Sequence, residues 1–179
     1  MSSMTPIDLA ASDRLQFRPL LMADAHSLLL IYSDEEAMRF RGSGPMRNLG
    51  DACQFVESKQ TLDHGTITQR QGVIWRLSGQ LIGTIMFRYQ PGGEDCEIGY
   101  SIGKAYWGQG IGKEIVASMI ASLTAQGIFR RLTAVSRRTN IASWKLLEKN
   151  GFQRMGEDDT NDCYSYRLEL PQTKFSRSN

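Results

Sequence analysis

The residues with the clearest chemical reach lie in Trp107-Gly108-Gln109-Gly110-Ile111-Gly112-Lys113. They follow a strand-like run over 96–102 and open an apolar-periodic segment over 111–123. A glycine-rich turn between strand and helix is a device for holding phosphate. Glycine lets the backbone approach a ligand closely. The first N–H groups of a helix have no internal partners and sit at the positive end of its dipole. A diphosphate placed there receives several hydrogen bonds without any basic side chain. The spacing is not that of the common nucleotide sites. There is no G-x-x-x-x-G-K-[ST], and Gly108, Gly110 and Gly112 do not form G-x-G-x-x-G. A diphosphate-bearing ligand other than a dinucleotide or triphosphate is therefore expected. Close to the turn in sequence stands Glu97, a carboxylate. Farther on, Asn140 and Ser143 open a second helical segment.

The elements that must position these residues can be read from periodicity. Residues 14–20 alternate, with Leu15, Phe17 and Pro19 on one side, predicting a first strand. Helices are predicted after Asp24, after Asp34 and over 49–62, with a Gly/Pro break at 41–48. Strands are predicted over 73–77 and 81–89, joined by a turn at Ser78-Gly79-Gln80, and again over 96–102. Ile111, Ile115 and Met119 recur at helical spacing, and Gly127 marks the stop of that helix. A strand over 131–135 follows, then a helix capped by Asn140 and ending at Asn150-Gly151. Strands over 152–155 and 163–170 close the chain around an acidic turn at 156–161. The order β-α-α-β-β-β-α-β-α-β-β implies an α/β fold, an α+β mixed sheet covered by helices.

Bulk composition bounds the function classes. The 179 residues suit one domain, expected over 14–170, with an N-terminal extension over 1–13 and a polar tail over 171–179. Lys and Arg number 21 against 19 Asp and Glu, a net charge of +2 that gives no footprint for nucleic acid. Cys53, Cys96 and Cys163 are far apart, and with His26 and His64 draw no zinc-type cluster, so no metal is expected. Reduced thiols fit a cytoplasmic protein, and no membrane span or leader is read.

Three pieces together resemble the GNAT superfamily of acetyl-CoA-dependent N-acetyltransferases. The strand Cys96-Glu97-Ile98-Gly99-Tyr100-Ser101-Ile102 and the turn Tyr106 through Gly112 are similar to its cofactor motif. Asn140-Ile141-Ala142-Ser143, followed by Asn150-Gly151-Phe152, is similar to its N-x-x-[SA] to G-F segment. The opening Arg14-Leu15 through Arg18-Pro19-Leu20 resembles the ribosomal-protein N-terminal acetyltransferase branch, the RimJ/RimL type. Trp107 stands where the superfamily often has Gln or Arg, which is itself typical of that branch. The tyrosine that many members carry seven residues after the motif asparagine is here Leu147.

The resemblance implies roles. The backbone of Gln109, Gly110, Ile111, Gly112 and Lys113 would hold the pyrophosphate of acetyl-CoA, the co-substrate. Tyr100, Ser101 and Ile102 would offer backbone groups to the pantetheine arm, with the N–H near Ser101 polarising the thioester carbonyl. Glu97 would serve as general base, directly or through water; its other reading is a solvated strand residue. Ser143 would take the place of the absent tyrosine acid, and Asn140 would border the cofactor or simply cap its helix. A carboxylate of pKa about 4 deprotonates an α-amine of about 8 more readily than a lysine amine of about 10.4. The expected acceptor is accordingly a protein N-terminal α-amine. A small-molecule amine (polyamine, amino acid or antibiotic) and a non-catalytic acyl-CoA-binding protein are the alternatives. The acidic turn Glu157-Asp158-Asp159 would attract a cationic amine or remain solvated, and a homodimer would be in keeping with the branch.

Overall fold

Valine, isoleucine, threonine and aromatic residues at period two build a long central hairpin, β3 (Thr66–Trp75) and β4 (Gln80–Tyr89), closed by a turn in which Gly79 has φ +70°. The computed structural model describes residues 7–171. Around the hairpin stand β1 (Leu15–Pro19), β2 (Gln60–Asp63), β5 (Asp95–Ile102), β6 (Arg131–Arg137), β7 (Gln153–Asp158) and β8 (Cys163–Glu169). The helices are α1 (Ala25–Tyr32), α2 (Glu35–Met38), α3 (Leu49–Glu57), α4 (Ile111–Gln126) and α5 (Ile141–Lys149). The eight-stranded sheet runs β1-β3-β4-β5-β6-β8-β7, with β2 paired to β3. Every pairing is antiparallel except β5 with β6.

Alternation along the strands gives the sheet two apolar faces. Ile85, Phe87, Cys96 and Ile98 join Ile111, Ile115, Val116, Met119 and Leu123 of α4 and Leu147 of α5 in one core. Leu20, Ile74 and Leu81 pack with Ala25, Leu28, Tyr32, Ala52 and Val56 from α1 and α3 in the other. Each fully buried branched side chain of α4 contributes about 1.5–3 kcal/mol, which presses that helix to the sheet.

The β5–β6 pairing decides where a ligand can enter. Only Asp95, Cys96 and Glu97 pair with β6, at Arg131, Leu132 and Thr133. Beyond Thr133, β6 stays with β8 as far as Arg137, while β5 stays with β4 as far as Ile102. The two central strands therefore part immediately after Glu97. The mixed sheet is thus splayed at its centre.

The sequence reading differs from the structure at three places. The helix expected over 49–62 ends at Glu57, and residues 60–63 turn back as β2 against β3. With β3 beginning at Thr66 rather than at residue 73, this gives one strand more than expected. Glu157 and Asp158 lie on β7, so the acidic turn is shorter than 156–161. The presumed extension over 1–13 is part of the domain from residue 7 on: Ile7 and Leu9 are buried in the main core. Gln69 Oε1 accepts from Ile7 N, and Gln71 Nε2 donates to the Ile7 carbonyl. Of the tail expected over 171–179, all but Pro171 lies outside the described residues.

Candidate active site

Gly108 and Gly110 have φ of +73° and +76°, so both occupy the left-handed region where a side chain is strained. Gly110 is the residue before α4, and the first helical bond is Glu114 N to the Gly110 carbonyl at 3.2 Å. Among the described residues the N–H groups from Gly108 to Lys113 find no acceptor, and they gather at the start of a sixteen-residue helix. Gly112 serves a different end. A Cβ there would lie 3.0 Å from Leu146 of α5 and 3.6 Å from Ile102 of β5, so its glycine lets the two helices and the strand close up.

Side chains lock the turn to the sheet. Trp107 Nε1 donates to the Ile102 carbonyl at 2.9 Å. Gln109 Nε2 donates to the Ala105 carbonyl, and Arg14 Nη1 to the Gln109 carbonyl. Arg14 also grips Glu114 in the first turn of α4, with Nε to Oε2 at 2.7 Å, while Ser12 Oγ donates to Oε1 at 2.6 Å. Burial works against the charge on Glu114, yet these hydrogen bonds hold its carboxyl below the ordinary range. The sequence reading did not find this clamp, whose members are about 100 residues apart.

The parted strand presents backbone on alternate residues. The Glu94 carbonyl accepts from Arg131 N, so even-numbered residues of β5 face β6. The Ser101 carbonyl faces β4, close enough that a Cβ on Gly83 would come within 2.2 Å of it. The backbone groups bordering the opening are therefore those of Ile98, Tyr100 and Ile102, and the Ile102 carbonyl is already held by Trp107. The Ser101 backbone itself, named among the expected site residues, turns toward β4 and away from the opening.

The side chains divide between the two faces. Tyr100 points to the α4–α5 side, and its Oη lies 3.1 Å from Ser143 Oγ. Burial pushes the Tyr100 phenol up, with the Ser143 bond opposing, so the phenol keeps its proton through neutral pH. Asn140 Oδ1 accepts from Ser143 N at 3.2 Å, the cap expected of it, and this fixes Ser143 in the first turn of α5. Glu97 points to the α1–α3 side. There its Oε2 is 3.4 Å from Arg88 Nη1, across the β4–β5 register. A cavity of about 390 Å³ is lined by Arg39, Phe40 and Thr139. Lys145 projects from α5 into solvent beside the Trp144 ring. The acidic residues around the β7–β8 turn are occupied: Arg138 pairs with Glu157 of β7 at 3.3 Å and with Asp159 of the turn. No group of His, Cys, Asp and Glu able to hold a metal occurs among the described residues. No helix there is long and apolar enough to cross a membrane.

The sequence model of the acetyltransferase (GNAT) domain matches residues 14–153. The chain belongs to the GNAT acetyltransferase family. As a GNAT acetyltransferase it uses acetyl-CoA as co-substrate, and the unpartnered N–H groups ahead of α4 fit that molecule's diphosphate. It is 31% identical over 147 residues to the uncharacterized N-acetyltransferase YoaA of Bacillus subtilis (strain 168), covering 81% of this chain and 82% of that one. The fold is similar to that of RimL, a ribosomal L7/L12 α-N-protein acetyltransferase solved with coenzyme A. There the TM-score is 0.77 at 16% identity, covering 90% of this chain and 97% of that one. It is also similar to the microcin C7 self-immunity acetyltransferase MccE, solved with acetyl-CoA and AMP. That match has a TM-score of 0.73 at 16% identity and covers 94% of this chain and 99% of that one.

Proposed function

We propose that this acetyltransferase modifies the α-amine of a protein N-terminus. Acetyl-CoA supplies an acyl group activated as a thioester. The N–H groups from Gln109 to Lys113 hold its diphosphate, and the backbone of Tyr100 and Ile102 borders its pantetheine arm. The N–H of Tyr100 or Ile102 polarises the thioester carbonyl. Glu97 receives the proton that the ammonium must lose before its nitrogen can attack. As the N–C bond forms and the C–S bond breaks, Ser143 gives a proton to the departing sulfur, with Tyr100 Oη behind it; the second proton that the nitrogen sheds on becoming an amide passes to solvent, and solvent returns one to the serine oxygen. Asn140 orients Ser143 through the helix cap.

The observation that carries this reading is the division of labour across one parted strand. The carboxylate of Glu97 is on one face, and the Ser143–Tyr100 hydroxyl pair is on the other. An amine approaching from the first side and a thiolate leaving on the second would each meet the group it needs. A carboxylate base suits an α-amine, whose pKa of about 8 leaves part of it neutral at pH 7.

The test is a mass-spectrometric assay with acetyl-CoA and three acceptor sets. These are peptides with free N-termini, N-blocked peptides with lysine, and small amines without a peptide bond. Acetylation of free N-termini is the expected result. Transfer confined to lysine or small amines overturns the α-amine assignment, and coenzyme A binding with no transfer overturns catalysis.

A further inference from the structure

The face that carries Glu97 is rich in positive charge that the chain leaves uncompensated. Arg41 stacks its guanidinium 4.4 Å from the Tyr32 ring centre. The Tyr32 and Phe55 rings are 5.8 Å apart, and the Arg70 guanidinium lies 5.5 Å from the Phe55 ring. Tyr32 in turn bonds Thr84 on β4, the register partner of Ser101 on β5. This stack therefore reaches the site strand. Arg88 stands on the same face of β4, opposite Glu97 on one side and Thr68 on the other. Arg70 is two residues from Thr68 along β3. Arg137 Nη2 reaches the Arg41 carbonyl from β6 at 3.5 Å, bringing a fourth guanidinium to the rim.

Several arginines elsewhere have carboxylate partners, Arg14 with Glu114, Arg18 with Asp24, Arg131 with Asp95, Arg138 with Asp159 and Arg154 with Glu148, whereas Arg39, Arg47 and Arg76 have none among the described residues but stand apart from one another in sequence. Among the described residues, Arg41, Arg70 and Arg137 make no such pair, and Arg88 has only Glu97. Half-burial lowers the pKa of Arg70, and the like charges of Arg41 and Arg88 lower it further. Gathering cations in this way costs free energy unless an anion joins them. Aromatic stacking and the Arg70 bond to the Ser58 carbonyl at 2.7 Å hold the guanidinium planes in place. Fixed guanidinium planes suit bidentate capture of carboxylate or phosphate.

We propose that Arg41, Arg70 and Arg88 form an anion subsite for an amine acceptor that carries a carboxylate or phosphate close to its amine. The assignment rests on the reading that this face receives the acceptor. It narrows that reading to acidic acceptors, such as a peptide whose second residue is acidic. An acidic group bound here also competes with Glu97 for Arg88, releasing the carboxylate that must take the ammonium proton.

The test compares Ser-Asp, Ser-phosphoserine and Ser-Asn peptides, all C-terminally amidated, by steady-state kinetics and by calorimetry. Either acidic peptide should show a KM at least tenfold below that of the Ser-Asn peptide, and the gap should shrink as salt rises. The arm with the larger gap tells carboxylate from phosphate. Arg41→Gln and Arg88→Gln should raise KM for the acidic peptide about tenfold and move KM for the neutral peptide far less, with melting temperature and coenzyme A affinity retained. Arg70→Gln is read only alongside its melting temperature, since that residue is half-buried. Equal KM for acidic and neutral peptides overturns the subsite while transfer itself stands. If no peptide is acetylated, the function proposed above fails. Calorimetry then decides the subsite alone: acidic-peptide binding that Arg41→Gln abolishes supports it, and absence of that binding overturns it.

Discussion

The Tyr100–Ser143 pair is where one residue's chemistry depends on another's. Ser143 alone is a poor acid, and the Tyr100 phenol 3.1 Å away keeps its proton through neutral pH. Replacing Ser143 by Ala should lower kcat about 100-fold, within the range typical of a missing general acid. Tyr100→Phe should cost less, because water can solvate the serine hydroxyl. The double variant should be no slower than Ser143→Ala, since Tyr100 acts through the serine. Measured kcat values that multiply instead would show two independent roles. The sequence placed Ser143 and Tyr100 at the site but not in contact. Their separation of 43 residues offers no local signal, and only the packing of α5 on β5 joins them. The thiols give a second residue-scale prediction. Burial pushes Cys96 up to about 12, so its thiolate is scarce at neutral pH. Cys53, half-buried on α3, should react first with a thiol reagent under native conditions. Peptide mapping of the labelled protein checks this, and early labelling of Cys96 would contradict the packing described for β5.

At the scale of elements, the glycine turn divides into two physical demands. Gly110 is needed for its left-handed backbone, and Gly112 for the space between α4 and α5. The two should respond differently to substitution. Gly110→Asn places a residue that tolerates the left-handed region, and should change KM for acetyl-CoA less than Gly110→Val, whose branched side chain costs roughly 1–2 kcal/mol there. Gly112→Val should instead destabilise the fold by about 1–3 kcal/mol, because a side chain must displace Leu146. Thermal melts and acetyl-CoA titrations of the three variants separate the effects. The turn and its helix were legible because glycine spacing and apolar period are local signals. Residues 49–63 were not, because their partial apolar face continues beyond the true end of α3. What ends the helix and makes β2 is pairing with β3, a tertiary demand with no mark in the local pattern. The anion cluster escaped for a similar reason. Arg41 and Arg70 fall in a stretch without a motif, and become neighbours only when α1 and α3 set Tyr32 and Phe55 between them.

For the molecule as a whole, the fold class could be read because alternation and helical period agree along most of the chain. The ties that bind its beginning to its site could not. The segment from Ile7 to Arg14 reaches β3 and α4 through Gln69, Gln71, Ser122 and Glu114, all distant in sequence. One of those ties carries a pH dependence. Burial alone would raise the Glu114 carboxyl, but Ser12 and Arg14 bring it below its ordinary value. Asp24 is buried too, and the bidentate Arg18 guanidinium with the Leu21 N–H lowers it likewise. In the unfolded chain both carboxyls return to about 4, so between the two values the unfolded state binds more protons. Their contribution to stability is complete above the unfolded value and is lost as pH falls through the folded one. The melting temperature should hold steady toward pH 5 and drop as the solution is taken below 4. Glu114→Gln should lower it at neutral pH and flatten part of the acid drop, because the variant has no proton to gain there. The affinity for acetyl-CoA, measured by calorimetry at pH 7, should weaken in the same variant, since Glu114 anchors the Arg14 side chain that also holds the Gln109 carbonyl. An acid drop as steep in Glu114→Gln as in the parent would place the titrating groups elsewhere.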